Sequence, residues 1–160
     1  MELEIFDAGQ IFNSVTGEIN KPELKQRFVK VTVPARLNAM CFDLRALANP
    51  KKKFVYNAGE LAFAVNVNTY AKLTVNTEQI PGVYVSANTK RKAIVRHAAL
   101  IMKKTLKIKD ALYLEAKNVY DYPHAGLGSS SSLISAVCIA INEAYGKPLN
   151  SRQFKQRGYF

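Results

Sequence analysis

Cysteine is scarce: Cys41 and Cys138 are the only two in 160 residues, each in an apolar neighbourhood and without CxxC spacing. Two buried free thiols in a reducing cytoplasm are expected rather than a disulfide or a metal site. Long apolar runs are missing as well. No stretch approaches the roughly 18 uninterrupted apolar residues of a membrane span, so no membrane partner is expected. The first ten residues carry acids instead of a basic n-region and an apolar core, which argues against a secretory signal. Neither the lysine-bearing P-loop GxxxxGK[ST] nor the dinucleotide pattern GxGxxG is present, and there is no internal repeat.

Acidic residues are the other shortage. Lys and Arg number 23 against 12 Asp and Glu, a formal charge of +11. This balance favours anionic partners: a small anionic metabolite, a nucleotide or nucleic acid. Nine of the basic residues fall between Lys90 and Lys117, including Lys90-Arg91-Lys92, and a second run is Lys51-Lys52-Lys53 beside Pro50. Such runs also suit the wet face of a helix and a solvated loop. What remains is ordinary for one globular domain, with 48% hydrophobic and 22% charged residues.

Residues 1–27 are weakly patterned, with turn signals at Thr16-Gly17 and Lys21-Pro22, and read as an N-terminal arm or hairpin. Residues 28–160 form the main domain. "FVKVTV" from Phe28 alternates with period two, a half-buried strand that Pro34 is expected to end. After a turn at Asn57 and Gly59, "LAFAVNV" and "YAKLTVN" read as two strands joined at Asn68-Thr69. "IPGVYVS" holds a Pro-Gly turn and a short strand. From Asn88, a plausible cap, to Leu106 the pattern is that of an amphipathic helix with Ala93, Ile94, Ala98, Ile101, Met102 and Thr105 on its apolar face. "ALYLEAKNV" alternates again. A second helix follows the serines, runs through Leu133, Ile134, Val137, Ile139 and Ile141, and stops at Gly146 and Pro148. Its broad apolar face places it deep in the core. Strands, then helix, strand and helix without strict βαβ alternation predict an α+β sandwich.

The segment "DYPHAGLGSSSSLISAVCIAINEAYGKPL" carries the chemistry. A strand, then Gly126-Leu127-Gly128-Ser129-Ser130-Ser131, then a helix is suited to holding phosphate. Glycines let the main chain approach an anion closely. A helix start offers unpaired N–H groups and the positive end of its dipole. Serine hydroxyls add hydrogen bonds or ligate Mg²⁺. The competing reading is a turn that uses Gly for packing and Ser for capping.

"PHAGLGSSSS" resembles the second motif of the GHMP kinase superfamily, which includes galactokinases and the homoserine, mevalonate and phosphomevalonate kinases. "VTVPARLNAMCFDLRAL" resembles its first motif, and the order and separation of the two also fit, over residues 28–160. The resemblance implies a ribosomal protein S5 domain 2-like two-layer sandwich and transfer of the γ-phosphoryl of ATP to a small metabolite in the cytoplasm. Main-chain amides at Gly126, Leu127, Gly128 and Ser129 would cradle the ATP phosphates, joined by Ser131. Ser130 would ligate Mg²⁺, which neutralises developing charge in phosphoryl transfer. Asn38 and Asp43 would lie near the substrate or nucleotide cleft, although Asp43 also suits a turn or cap. His124 sits in the loop, within reach of a phosphate or simply exposed.

Within the superfamily, "VPARLN" and "HAGLGS" look nearest the archaeal beta-ribofuranosylaminobenzene 5'-phosphate synthases, which transfer a phosphoribosyl group and are not kinases. Asn38 stands where that branch favours His, and the serines after Gly128 look more like the kinases. The Gly-Glu-His element of several sugar kinases is absent. In the family, the segment bearing the catalytic aspartate of the kinases that use one, and the third glycine-rich motif, come later than residue 160. The catalytic residues are therefore expected beyond this chain, and the chain alone is expected to lack phosphotransfer. A basic nucleic-acid-binding module is a further alternative, and a homo-oligomer stays open.

Overall fold

The structure, a computed structural model, describes residues 17–41, 60–119, 127–150 and 153, with the backbone alone for 38–41 and 60–62. Strands β1 (Phe28–Cys41), β2 (Glu60–Asn76), β3 (Val83–Val85) and β4 (Ala111–Asn118) form one sheet in the order β1-β2-β4-β3. Helix α1 (Lys92–Leu106) connects β3 to β4, and α2 (Ser129–Ala144) follows β4. β1 pairs antiparallel with β2, and β2 with β4, while β3 lies parallel to β4.

Alternation along the strands decides where the core sits. Val29, Ala71, Leu73, Leu112 and Leu114 are buried in one cluster with Val95, Met102, Leu133, Val137 and Ile141 of the helices. Both helices therefore cover one face of the sheet, and the α+β two-layer architecture is as expected. Ten of the sixteen α2 residues are buried, which is the deep helix that its composition implies. Cys138 is among them as a free thiol.

Five local expectations need correction. Pro34 does not end β1. It faces Asn68 on β2 at a register shift, after which Ala35 pairs with Val65. β1 is an edge strand, and edges and bulges are where a strand tolerates a residue without an N–H. Residues 61–67 and 70–76 are likewise one long strand: Asn68 and Thr69, read in sequence as a connection, pair with Pro34 and Val33, and the extra residues Asn66 and Val67 make the bulge beside them. α1 begins at Lys92 with Arg91 as its N-cap residue, whereas the Asn88 N–H turns back to Ser86 Oγ at 3.2 Å. Its buried face is Val95, Ala98, Ala99, Ile101, Met102 and Leu106, rotated from the predicted one so that Ala93 is exposed.

The fourth correction concerns the serines, which do not precede α2 but form its first turn. At the other end of α2, residues 18–26 run without regular structure, so Lys21-Pro22 makes no turn there. The proposed turn at Asn57 and Gly59 lies outside the described residues.

Candidate functional site

The N-terminal end of α2 is fixed by three elements. From β1, the Arg36 N–H donates to the Leu127 carbonyl at 3.3 Å. From the end of β4, buried Asn118 donates through Nδ2 to Thr69 Oγ1 at 2.7 Å and to the Ser129 carbonyl at 3.2 Å. From the start of α1, Arg91 Nη1 donates to Ser129 Oγ and to Ser130 Oγ, both at 2.9 Å. Buried Thr89 ties that start back to the sheet by accepting the Ala116 N–H at 3.1 Å.

Gly128 is the hinge of the turn. Its φ of 57° and ψ of 33° are left-handed, a conformation costly to any side chain. A Cβ there would sit 3.0 Å from Ser131 Oγ. Its carbonyl accepts the Ser132 N–H at 2.9 Å, the first i to i−4 bond of the helix. The Ser131 and Ser132 hydroxyls donate to the same carbonyl at 2.8 and 3.1 Å. The helix itself supplies no partner to the N–H groups of Ser129, Ser130 and Ser131.

No side chain caps α2, and its first turn contains no acidic residue. A serine hydroxyl has one proton and two acceptor positions. Accepting from Arg91 leaves Ser129 and Ser130 each a proton to donate elsewhere. The end of α2 thus gathers main-chain donors, two hydroxyls, a guanidinium and the positive end of a helix dipole, an arrangement complementary to an oxyanion.

Of the residues singled out in sequence, Leu127, Gly128, Ser129, Ser130 and Ser131 meet in this turn. Gly126, His124 and Asp43 lie outside the described residues. Asn38 pairs with Ala62 in the β1–β2 ladder, and its side chain is not described. Sequence reasoning missed Arg91, Asn118, Thr69 and Arg36. Arg91 stood inside a basic run read as a whole, and only its place one residue before the helix distinguishes it. Among the described residues no cluster of three or more His, Cys, Asp or Glu could hold a metal.

Residues 93–158 match the model of the GHMP kinases N terminal domain family. No curated protein matches the sequence. Among solved structures, mevalonate kinase from L. major in complex with R-mevalonate aligns with a TM-score of 0.61 at 16% identity, over 87% of this chain and 45% of that one. Homoserine kinase from Cytophaga hutchinsonii aligns at 0.57 and 19% identity, over 84% and 42%. Mevalonate kinase from Methanococcus jannaschii aligns at 0.56 and 13% identity, over 82% and 45%. The fold is that of these kinases' shared domain, and the chain spans less than half the length of each. Likeness to the phosphoribosyl-transferring branch rests on its motif residues alone.

Proposed function

We propose that the α2 turn binds the phosphates of ATP, as part of a GHMP-type enzyme that phosphorylates a small anionic metabolite. The observation that carries this reading is the Arg91 contact with both serine hydroxyls at the start of a helix whose first turn holds no acidic residue. An anion at the positive end of a helix dipole is favoured there, and the guanidinium adds to that attraction. The serine hydroxyls that Arg91 holds and the first main-chain N–H groups of α2 would converge on that anion. The fold neighbours and the family match over residues 93–158 support the choice of nucleotide.

The residues present fit a phosphate group better than a bare metal. For Mg²⁺ the described residues of the turn supply the Ser130 hydroxyl and no carboxylate, whereas Mg²⁺ is usually held by one or two carboxylates with substrate phosphates. Ser130 remains the Mg²⁺ ligand implied by the resemblance, with the phosphates and residues elsewhere completing its shell. When bound, the metal would neutralise charge developing on the transferred group. Gly128 keeps the main chain close to the phosphates, and Arg91 orients the hydroxyls and pairs with the anion.

Calorimetric titration with Mg·ATP tests the reading, using the chain and a Gly128→Asp variant whose fold is checked by circular dichroism. Saturable binding that is lost in the variant is expected, because the new carboxylate occupies the anion position. Equal binding by the two folded proteins would overturn the placement.

A further inference from the structure

The sheet face turned away from α1 and α2 plays no part in the phosphate reading, and the strand register dictates what it displays. Phe28 pairs with Thr74, Thr74 with Tyr113, and Tyr113 with Tyr84, one row across all four strands. Two residues along, Lys30, Lys72 and Glu115 make the next row, and Thr32, Tyr70 and Lys117 a third. Period-two geometry puts all of them opposite the buried Leu73 and Leu114, in rows about 7 Å apart.

The aromatic row is both exposed and rigid. Phe28 is 59% and Tyr84 39% exposed. Tyr84 stacks on Tyr113 with ring centroids 4.8 Å apart and planes 12° from parallel. The Tyr84 hydroxyl donates to the Ile80 carbonyl at 3.1 Å, and that of Tyr113 to Gln79 Oε1, so both rings are held at their far ends. Between Phe28 and this pair lies a groove of about 380 Å³, with Thr74, Lys72 and Glu115 in its lining. Lys30 and Lys117 are exposed. Lys72 lies 3.5 Å from Glu115 and 5.9 Å from the centre of the Tyr70 ring. Three lysines against one carboxylate give the rows beside the groove the sign of the whole chain.

We propose that this face binds single-stranded nucleic acid. An unpaired base enters the groove and stacks against Phe28 or the Tyr84–Tyr113 pair, while Lys30, Lys72 and Lys117 meet the neighbouring phosphates. Stacking needs a base whose π-face is free, which a duplex does not present, and the cations stand one and two rows from the aromatics. A purely apolar ligand would make no use of the lysines, and a duplex none of the rings.

Fluorescence anisotropy of the whole chain with a labelled uridine oligonucleotide of about 12 nucleotides tests the proposal. Millimolar Mg·ATP is kept present so that an anion site at the α2 turn is already occupied, and a duplex of the same length serves as control. Preference for the single strand is expected, with affinity reduced about tenfold in Phe28→Ala. Lys117→Ala should reduce the salt dependence by about one phosphate contact. Both positions are exposed, so the variants should keep the wild-type circular dichroism. Equal affinity for the duplex, unchanged affinity in Phe28→Ala, or binding that appears only when Mg·ATP is left out would each overturn it. So would a dimer in light scattering that Phe28→Ala dissociates, because a second copy would then cover the face.

Discussion

The two ends of the helix pair are treated in opposite ways. At the C-terminal ends the chain satisfies its own carbonyls. Lys107 takes a left-handed conformation and returns its N–H to Lys103 and Lys104, and the Ile108 N–H follows to Lys103 at 3.0 Å. The Ala144 carbonyl accepts from the N–H groups of Lys25 and Gln26, and that of Tyr145 from Glu23. Lys103 and Lys104 complement the negative end of the α1 dipole. At the N-terminal ends neither helix has a side-chain cap or an acidic residue in its first turn, and an arginine stands between them. One end is finished by the protein. The other, among the described residues, presents main-chain and hydroxyl donors with no side-chain cap, as the proposed phosphate site requires.

If that contrast is right, damage at the finished end should appear as lost stability, and damage at the open end as lost binding. Asn142 gives the largest effect. Its side chain is buried, donates to the Leu149 carbonyl at 3.0 Å and accepts the Leu149 N–H at 3.0 Å. Asn142→Ala leaves both main-chain groups without their partner and should cost about 3 kcal/mol of unfolding free energy, read by urea titration. The folded fraction should still bind Mg·ATP with wild-type affinity. A stability change under about 0.5 kcal/mol would show that this end is not as tightly closed as its geometry implies.

Arg91→Ala is the complementary variant. Loss of a charge-assisted contact to an anion corresponds to about 1.5–3 kcal/mol, or roughly tenfold to a hundredfold in Mg·ATP affinity. Stability should change by no more than about 0.5 kcal/mol, because the variant also removes a positive charge from the positive end of a dipole. A marked loss of stability with unchanged affinity would invert the comparison and make Arg91 a structural clasp.

How much of this was legible in the sequence follows from the range of the interactions. Gly128 is local: a small residue followed by serines and an apolar run signals a strand-to-helix turn, and the structure gives it a left-handed φ. The depth of α2 is equally local, written in its breadth of apolar residues. Pro34 and Asn68 misled because a proline or an asparagine reads the same at a strand end and at a bulge. What separates the two is the pairing of β1 with β2, which is not a local property. Arg91, Asn118 and Thr69 were hidden for a similar reason. Arg91 lies 38 residues from the serine it holds, and Asn118 lies 49 from Thr69. The charge of the Lys90 to Lys92 run was visible. That one of its members would turn inward to the serines was not.

The smallest expected effect tests the finished end by pH. The Tyr145 hydroxyl donates to Asp110 Oδ2 at 2.7 Å, with the residue only 4% exposed. Burial first, then the bond and charge of Asp110, push the phenol well above its ordinary value. In the unfolded chain a tyrosine ionises near pH 10, so above that pH unfolding releases a proton and stability falls. Lys103, whose amine donates to the Asp110 carbonyl, acts in the opposite sense. Burial lowers its pKa, with the nearby Asp110 charge opposing. Unfolding therefore takes up a proton between its folded value and the ordinary lysine value, and stability rises with pH in that window. Tyr145→Phe keeps the lysine and removes the phenol. It should cost about 1 kcal/mol near neutral pH, and the gap between wild type and variant should narrow only as pH rises past about 10. A gap that stays constant to pH 11 (about one unit beyond the free phenol) would mean that Tyr145 ionises as easily in the fold as out of it. The C-terminal end would then be wetter than its bonds suggest, and the contrast with the open end weaker.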